Sequence, residues 1–154
     1  MSQDELRDRL EIADLLQRYF TALDDRDYAL LDTVFVPGAK LHYEMGRGGR
    51  PSSHPEMAQA FRDFNRSFLL TQHVMGHPVI EVAGDRARSR TSLRALHVQL
   101  SLEGERSTWI VYGSYRDRHV RTPDGWRICE RHFRSLHTEG RLLPPERVKT
   151  FAEA

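Results

Sequence analysis

The run RARSRTSLRALHVQLSL, Arg86 to Leu102, alternates without a break over a long stretch. Ala87, Ser89, Thr91, Leu93, Ala95 and His97 share one side of the pleat, and Arg86, Arg88, Arg90 and Arg94 begin the other. Successive strand residues face opposite sides of a sheet, so this pattern predicts a long strand with one small, apolar face. Beyond Ala95 the second side also turns apolar, through Leu96, Val98, Leu100 and Leu102. That face is suited to packing against another subunit. Working outward, Gly84-Asp85 and Gly104 are turns, and Ser107 to Val120 is a second long strand. Pro123-Asp124-Gly125 is a hairpin signal, and Trp126 to Leu136 is the last strand, followed by a polar tail after Gly140. Thr71 to Val82 holds two shorter extended pieces, because Gly76 and Pro78 argue against a helix between them.

The first half reads differently. Leu6, Leu10, Ala13, Leu16, Phe20 and Leu23 recur at helical spacing from Asp4 to Leu23, with Ile12, Leu15 and Tyr19 widening the stripe. Asp27 caps a second, short helix through Val34, which Pro37-Gly38 stops. Lys40 to Met45 alternates as a short strand, and Gly46 to Ser53 is a loop. Ser53 and Glu56 form a capping box, with Pro55 near the start of a helix carrying the stripe Met57, Phe61, Phe64 and Phe68. Helices followed by a run of antiparallel strands define an α+β fold, a curved sheet folded over helices whose mouth is a natural pocket.

With 154 residues the chain predicts one domain, 1–154. The 23 basic residues, 21 of them arginine, balance 22 acidic ones to a net charge of +1, which favours neither nucleic acid nor a membrane surface. No apolar run is long enough for a membrane span, and the acidic, polar start shows no signal peptide. A single cysteine, Cys129, excludes an internal disulfide. It falls in an apolar strand pattern and is expected to be a buried, inert thiol, and the expected compartment is the cytoplasm.

Asp24 continues the apolar stripe of the first helix, where a carboxylate is costly unless paired; alternatively the helix ends at Leu23 and Asp24 is a turn residue beside Asp25 and Asp27. His73 and His97 are strand histidines, each either a structural residue or an acid/base group near neutral pH. His77 lies four residues beyond His73, but Gly76 and Pro78 deny the pair a helix, and no metal site is expected. Tyr19 and Tyr43 are polar handles or plain core. Trp126 reads as packing. Arg131 and Arg134 are candidates for anion contact, or members of a solvated strand face.

Tyr19-Phe20-Thr21-Ala22-Leu23-Asp24-Asp25-Arg26-Asp27-Tyr28 resembles the opening motif of SnoaL-like proteins in the nuclear transport factor 2 (NTF2)-like superfamily. Leu41-His42-Tyr43, Thr71-Gln72-His73, Gly84-Asp85-Arg86-Ala87, Gly113-Ser114-Tyr115 and Asp124-Gly125-Trp126-Arg127 match later landmarks in order, over about residues 8 to 136. The likeness is nearest to the branch with scytalone dehydratase and bile acid 7α-dehydratase. It implies a cone-shaped fold with an enclosed pocket, Asp24 paired with the catalytic His73, a second catalytic histidine at His97, and a substrate-binding tyrosine at Tyr43. Leu23 stands where scytalone dehydratase has a tyrosine, which weakens the case for that substrate.

The implied activity is a cofactor-independent dehydratase or isomerase acting on a small cyclic or polyketide-like carbonyl compound, with Asp24, His73 and His97 catalytic and Tyr19, Tyr43 and Arg131 at the substrate. No metal and no organic cofactor is expected. The alternative is a noncatalytic small-molecule-binding or assembly subunit resembling the small subunit of ring-hydroxylating dioxygenases. A ketosteroid-type isomerase, epoxide hydrolase or polyketide cyclase ranks below both. A homo-oligomer, dimer or trimer, is expected from the apolar face around Leu96.

Overall fold

The computed structural model describes residues 2–44 and 52–153; Met45 and most of the expected loop Gly46 to Ser53 lie outside them, and the end of that loop, Ser52–Ser53, is instead a short strand paired with Lys40 and Leu41. Helix α1 runs Gln3–Asp24. Ser2 caps it by accepting the Glu5 N–H at 3.1 Å, and Asp4 and Glu5 complement the dipole of the first turn. Its apolar stripe is buried from Ile12 to Leu23, whereas Leu6 and Leu10, expected to belong to it, are exposed on the first turns. Asp24 is therefore the last helical residue, and Arg26 beyond it takes a left-handed backbone, φ +57°.

The expected second helix is a 3₁₀ helix, Tyr28–Thr33, capped by Asp27. It stops before Pro37-Gly38, which instead lies inside strand β1, Phe35–Glu44. The strand's pairing slips between Phe35 and Lys40. Pro37 has no N–H to donate and Gly38 adopts φ +75°, so together they make a local irregularity rather than a helix stop. Strand β2 is Ser52–Ser53. Helix α2, His54–Asn65, opens with the Glu56 carboxylate accepting the Ser53 N–H and hydroxyl, each at 2.8 Å. It ends at Asn65, so Phe68 falls in the connection, although fully buried.

The remaining strands are β3 Leu70–Met75, β4 Val79–Ala83, β5 Arg86–Leu100, β6 Arg106–Thr122 and β7 Gly125–Gly140. The unclosed sheet has the order β2-β1-β7-β6-β5-β3, with β4 also on β5. The pairings are antiparallel except β1 with β7, which is parallel. On β5 the inward row runs from Ala87 to Gln99, as its alternation predicts. Leu96 and Val98 point outward, half-buried, beside exposed Leu70 and Val74 of β3.

Two register shifts bend the β6–β7 ribbon. At the first, Gly113 leaves room for Phe133, since a Cβ there would meet its ring at 2.5 Å. At the second, Arg118 faces Glu130 and His119 faces Ile128, which leaves Cys129 as the extra residue. The bulge turns Cys129 out of the core: it is half-buried, and its Sγ–H donates to the Arg118 carbonyl. The expectation of a buried core thiol is thus corrected. The tail is not free either. Leu143 exchanges two backbone hydrogen bonds with the buried Gln99 amide, at 2.7 and 3.1 Å, and Phe151 lies under the Arg26 guanidinium at 4.2 Å.

Candidate active site

The C-terminal end of α1 meets β3 at one end of the cone. Thr71 and His73 are two residues apart on β3, so both point to the same face, and Asp24 receives both. The Thr71 hydroxyl donates to Asp24 Oδ1 at 3.1 Å, and the His73 backbone N–H donates to Oδ2 at 2.8 Å. His73 Nδ1 closes on Oδ1 at 2.6 Å. This is the physical content of the Thr-x-His spacing: one strand repeat supplies three donors to one carboxylate. Burial works to raise the Asp24 pKa, but the His73 ring, the His73 N–H, the His73 charge and Thr71 outweigh it, and the carboxyl is held below its ordinary value. An ionised Asp24 keeps the proton on His73 Nδ1 and leaves Nε2 with its lone pair. Phe20 stacks on the imidazole, centroids 5.6 Å apart and planes within 17°, which fixes the ring's plane.

His73 lines a cavity of about 370 Å³ bounded by α1, α2 and the inner face of the sheet. Such a volume suits a small organic ligand. Most of the wall is apolar, including Leu23, Met57, Phe61 and Val111. His97 joins it from β5, with its ring 5.7 Å from that of His73. Its Nδ1–H donates to the Trp109 carbonyl at 3.3 Å, which leaves Nε2 as an acceptor. Burial, reinforced by the nearby His73, pushes the His97 pKa down to about 4, so the ring is neutral at pH 7.

A second polar group lies among the aromatics. The Tyr19 hydroxyl is 2.8 Å from that of Tyr43 and 3.3 Å from that of Tyr115. Burial pushes all three phenols well above their ordinary pKa, so they keep their protons and serve as donors. Sequence reasoning quoted Tyr115 only as part of a family landmark and did not name Asn65; neither was expected at the site, and both are in the wall. Asn65 ends α2, and its buried Nδ2 has no hydrogen-bond partner among the described residues. A polar residue at the helix position after Met57, Phe61 and Phe64 was the available signal.

Arg131 is neither a solvated strand residue nor part of the cavity wall. It is fully buried and bidentate to Asp117, Nε and Nη2 donating at 2.8 and 2.7 Å. Its guanidinium lies 4.2 Å from the Tyr19 ring and 4.0 Å from the Tyr115 ring, behind the tyrosines. The expected contact with substrate is therefore corrected to a supporting one. Arg134 and His77 are exposed. Trp126 is packed, as expected, with its Nε1–H donating to Asp8 at 3.0 Å.

A curved, open sheet over N-terminal helices, with its cavity at the wide end, is the NTF2-like architecture, shared with an NTF2-like superfamily protein from Salmonella enterica. The model of the SnoaL-like domain matches residues 4–132, and the chain belongs to that family. The uncharacterised protein Rv2910c of Mycobacterium tuberculosis is 36% identical over 132 residues, 85% of this chain and 87% of its own. A candidate scytalone dehydratase from Novosphingobium aromaticivorans superposes with a TM-score of 0.78 at 21% identity, covering 100% of this chain and 99% of that one. The hexachlorocyclohexane dehydrochlorinase LinA-type3 of Novosphingobium barchaimii does so with 0.73 at 20% identity, covering 92% and 98%. No described helix is long and apolar enough to cross a membrane.

Proposed function

We propose that the chain is a cofactor-independent lyase or isomerase that removes a carbon-bound proton beside a carbonyl, with dehydration of a small cyclic hydroxy-carbonyl compound as the leading reaction. The observation that carries this is the 2.6 Å contact of Asp24 with His73 Nδ1, on a ring whose other nitrogen is free for the cavity. His73 Nε2 takes the proton, and Asp24 stabilises the resulting imidazolium. Electrons of the broken C–H bond form the enolate, whose oxygen accepts from the Tyr43 phenol, itself accepting from Tyr19. In dehydration the β C–O bond then breaks, and the His73 proton leaves with hydroxide as water; in isomerisation it returns to a different carbon. Neutral His97 accepts from the substrate hydroxyl, and Asn65 Nδ2 supplies a donor to a second substrate oxygen. The two neighbours named for elimination chemistry support this class.

The test is a panel of cyclic β-hydroxy ketones followed by the ultraviolet absorbance of the conjugated product. His73→Ala is expected to lower kcat by at least about 10²-fold, the usual contribution of a positioned base, with an unchanged circular dichroism spectrum. Full turnover by that variant excludes the role given to His73. The outward apolar strip of Leu70, Val74, Leu96 and Val98 favours self-association, and we propose a homo-oligomer, which light scattering measures directly. It also keeps open the second reading, a binding or assembly subunit, in which His73→Ala alters ligand affinity and no turnover is found.

A further inference from the structure

The outer face of the sheet, opposite the cavity, carries a separate group of chemistry-bearing side chains. His42 of β1 lies directly beside His132 of β7 in the parallel pairing. The two rings stack, centroids 4.2 Å apart and planes within 3°. Glu130 precedes His132 by two residues and so shares its face; its Oε1 is 2.8 Å from His132 Nε2. One donor atom from each of His42, Glu130 and His132 falls within 4.8 Å of the others.

We propose that these three residues form a binding site for a divalent first-row transition ion such as Zn²⁺ or Co²⁺. Two imidazole nitrogens and one carboxylate oxygen are a donor set of three-ligand zinc sites, in which a water or an added ligand completes the tetrahedron. Donors bound at about 2.0–2.2 Å in a tetrahedron sit roughly 3.3 Å apart. Closing from 4.8 Å requires only side-chain rotation, and the side chains have room for it, His132 being 50% and Glu130 25% exposed. Imidazole selects such ions over Mg²⁺ and Ca²⁺, which prefer oxygen.

The surroundings are basic, which lowers affinity for any cation. Arg118 Nε lies 3.5 Å from Glu130 Oε2, and Lys40 faces Glu130 across the seam. The guanidinium holds Oε2, while Oε1 is the oxygen turned to His132. The ion therefore takes Oε1 and leaves the Arg118 contact in place. With one exposed and two half-buried ligands under this repulsion, binding is expected to be weaker than at closed structural zinc sites.

The location gives the site a consequence. The next residue along each strand, Tyr43 and Phe133, points to the opposite face and into the cavity wall, their rings 5.4 Å apart. An ion on the outer face would clamp the parallel β1–β7 seam whose inner face positions the Tyr43 hydroxyl.

The experiment uses the whole, tag-free chain, stripped with chelator. Co²⁺ is titrated by its visible absorbance and Zn²⁺ by calorimetry, with Mg²⁺ for comparison. One equivalent is expected, with His42→Ala and His132→Ala each weakening binding by about tenfold or more. Glu130→Gln, which keeps the side chain's size, is expected to weaken it too, and serves if either alanine variant does not fold. His137→Ala removes another exposed histidine of β7, 3.8 Å from Glu139, and is expected to change nothing. Zn²⁺ at a hundredfold over its dissociation constant should raise Tm by roughly 5–10 °C. Absence of saturation below about 1 mM, or binding that survives the loss of both His42 and His132, overturns the site. Loss of binding on His73→Ala alone moves the ion to the cavity and overturns it equally.

Discussion

At the residue scale the site rests on which nitrogen of His73 carries the proton. Asp24 accepts from the ring, from the His73 N–H and from Thr71, and its charge holds the proton on Nδ1. Asp24→Asn keeps the volume but replaces one oxygen with a donor. That NH₂ can bond to Nδ1 only if the ring proton moves to Nε2, where it blocks the base. The expected result is a fall in kcat of about 10²–10⁴-fold, with a ¹⁵N spectrum of the imidazole in which the proton has changed nitrogen. A structural role alone leaves that tautomer unchanged. Asp24 was visible in the sequence as a carboxylate on an apolar stripe, but its partner was not, because α1 and β3 are 47 residues apart at the Asp24–Thr71 contact. That pairing came from the resemblance. The neutral state of His97 was not legible either, since it arises from burial and from the nearby His73, against the pull of the Trp109 carbonyl.

At the element scale the β-bulge at Cys129 explains the misreading of Arg131. Trp126 and Ile128 set an inward parity that, continued, turns residue 130 inward and 131 outward. The extra residue reverses the parity, so Arg131 enters the core opposite Asp117. Alternation can show a strand but not an inserted residue, which adds one position without changing composition. The same limit hid the irregularity at Pro37-Gly38 and the parallel seam. The Arg131–Asp117 pair is fully buried. Burial works against the guanidinium's charge, but Asp117 outweighs it and the group stays ionised. Removing one partner strands the other, so Asp117→Ala is expected to cost about 3–5 kcal/mol in urea denaturation. Asp117→Leu combined with Arg131→Met should recover much of that loss, because neither charge is then left buried. A double variant as unstable as the single one would show that the packing of Arg131 on Tyr19 and Tyr115, not the charge pair, carries the energy.

At the scale of the whole molecule, buried histidines link folding to pH. Burial lowers both His97 and His119 to about 4, against an ordinary value near 6.5. Charges beside His119 act in opposite senses, Asp117 raising and Arg131 lowering it, while its Nε2 pairs with the Ser89 hydroxyl at 2.8 Å. Between about pH 6.5 and 4 the unfolded chain binds a proton at each position and the folded chain does not. Stability therefore rises with pH across that window and falls on acidification. Each shift of about 2.5 units amounts to roughly 3 kcal/mol when fully expressed, and two such groups weigh heavily against a typical total of about 5–15 kcal/mol. Asp24, held low in the fold, adds a loss of the same sign as pH falls through its own folded value. The free energy of unfolding is thus expected to be level from about pH 7 to 9 and to decline steeply from pH 6.5 to 4.5. His119→Gln should be less stable at pH 7.5 yet lose close to one proton's slope on that limb. An unaltered slope would locate the acid sensitivity elsewhere, because a neutral glutamine has nothing to titrate in either state.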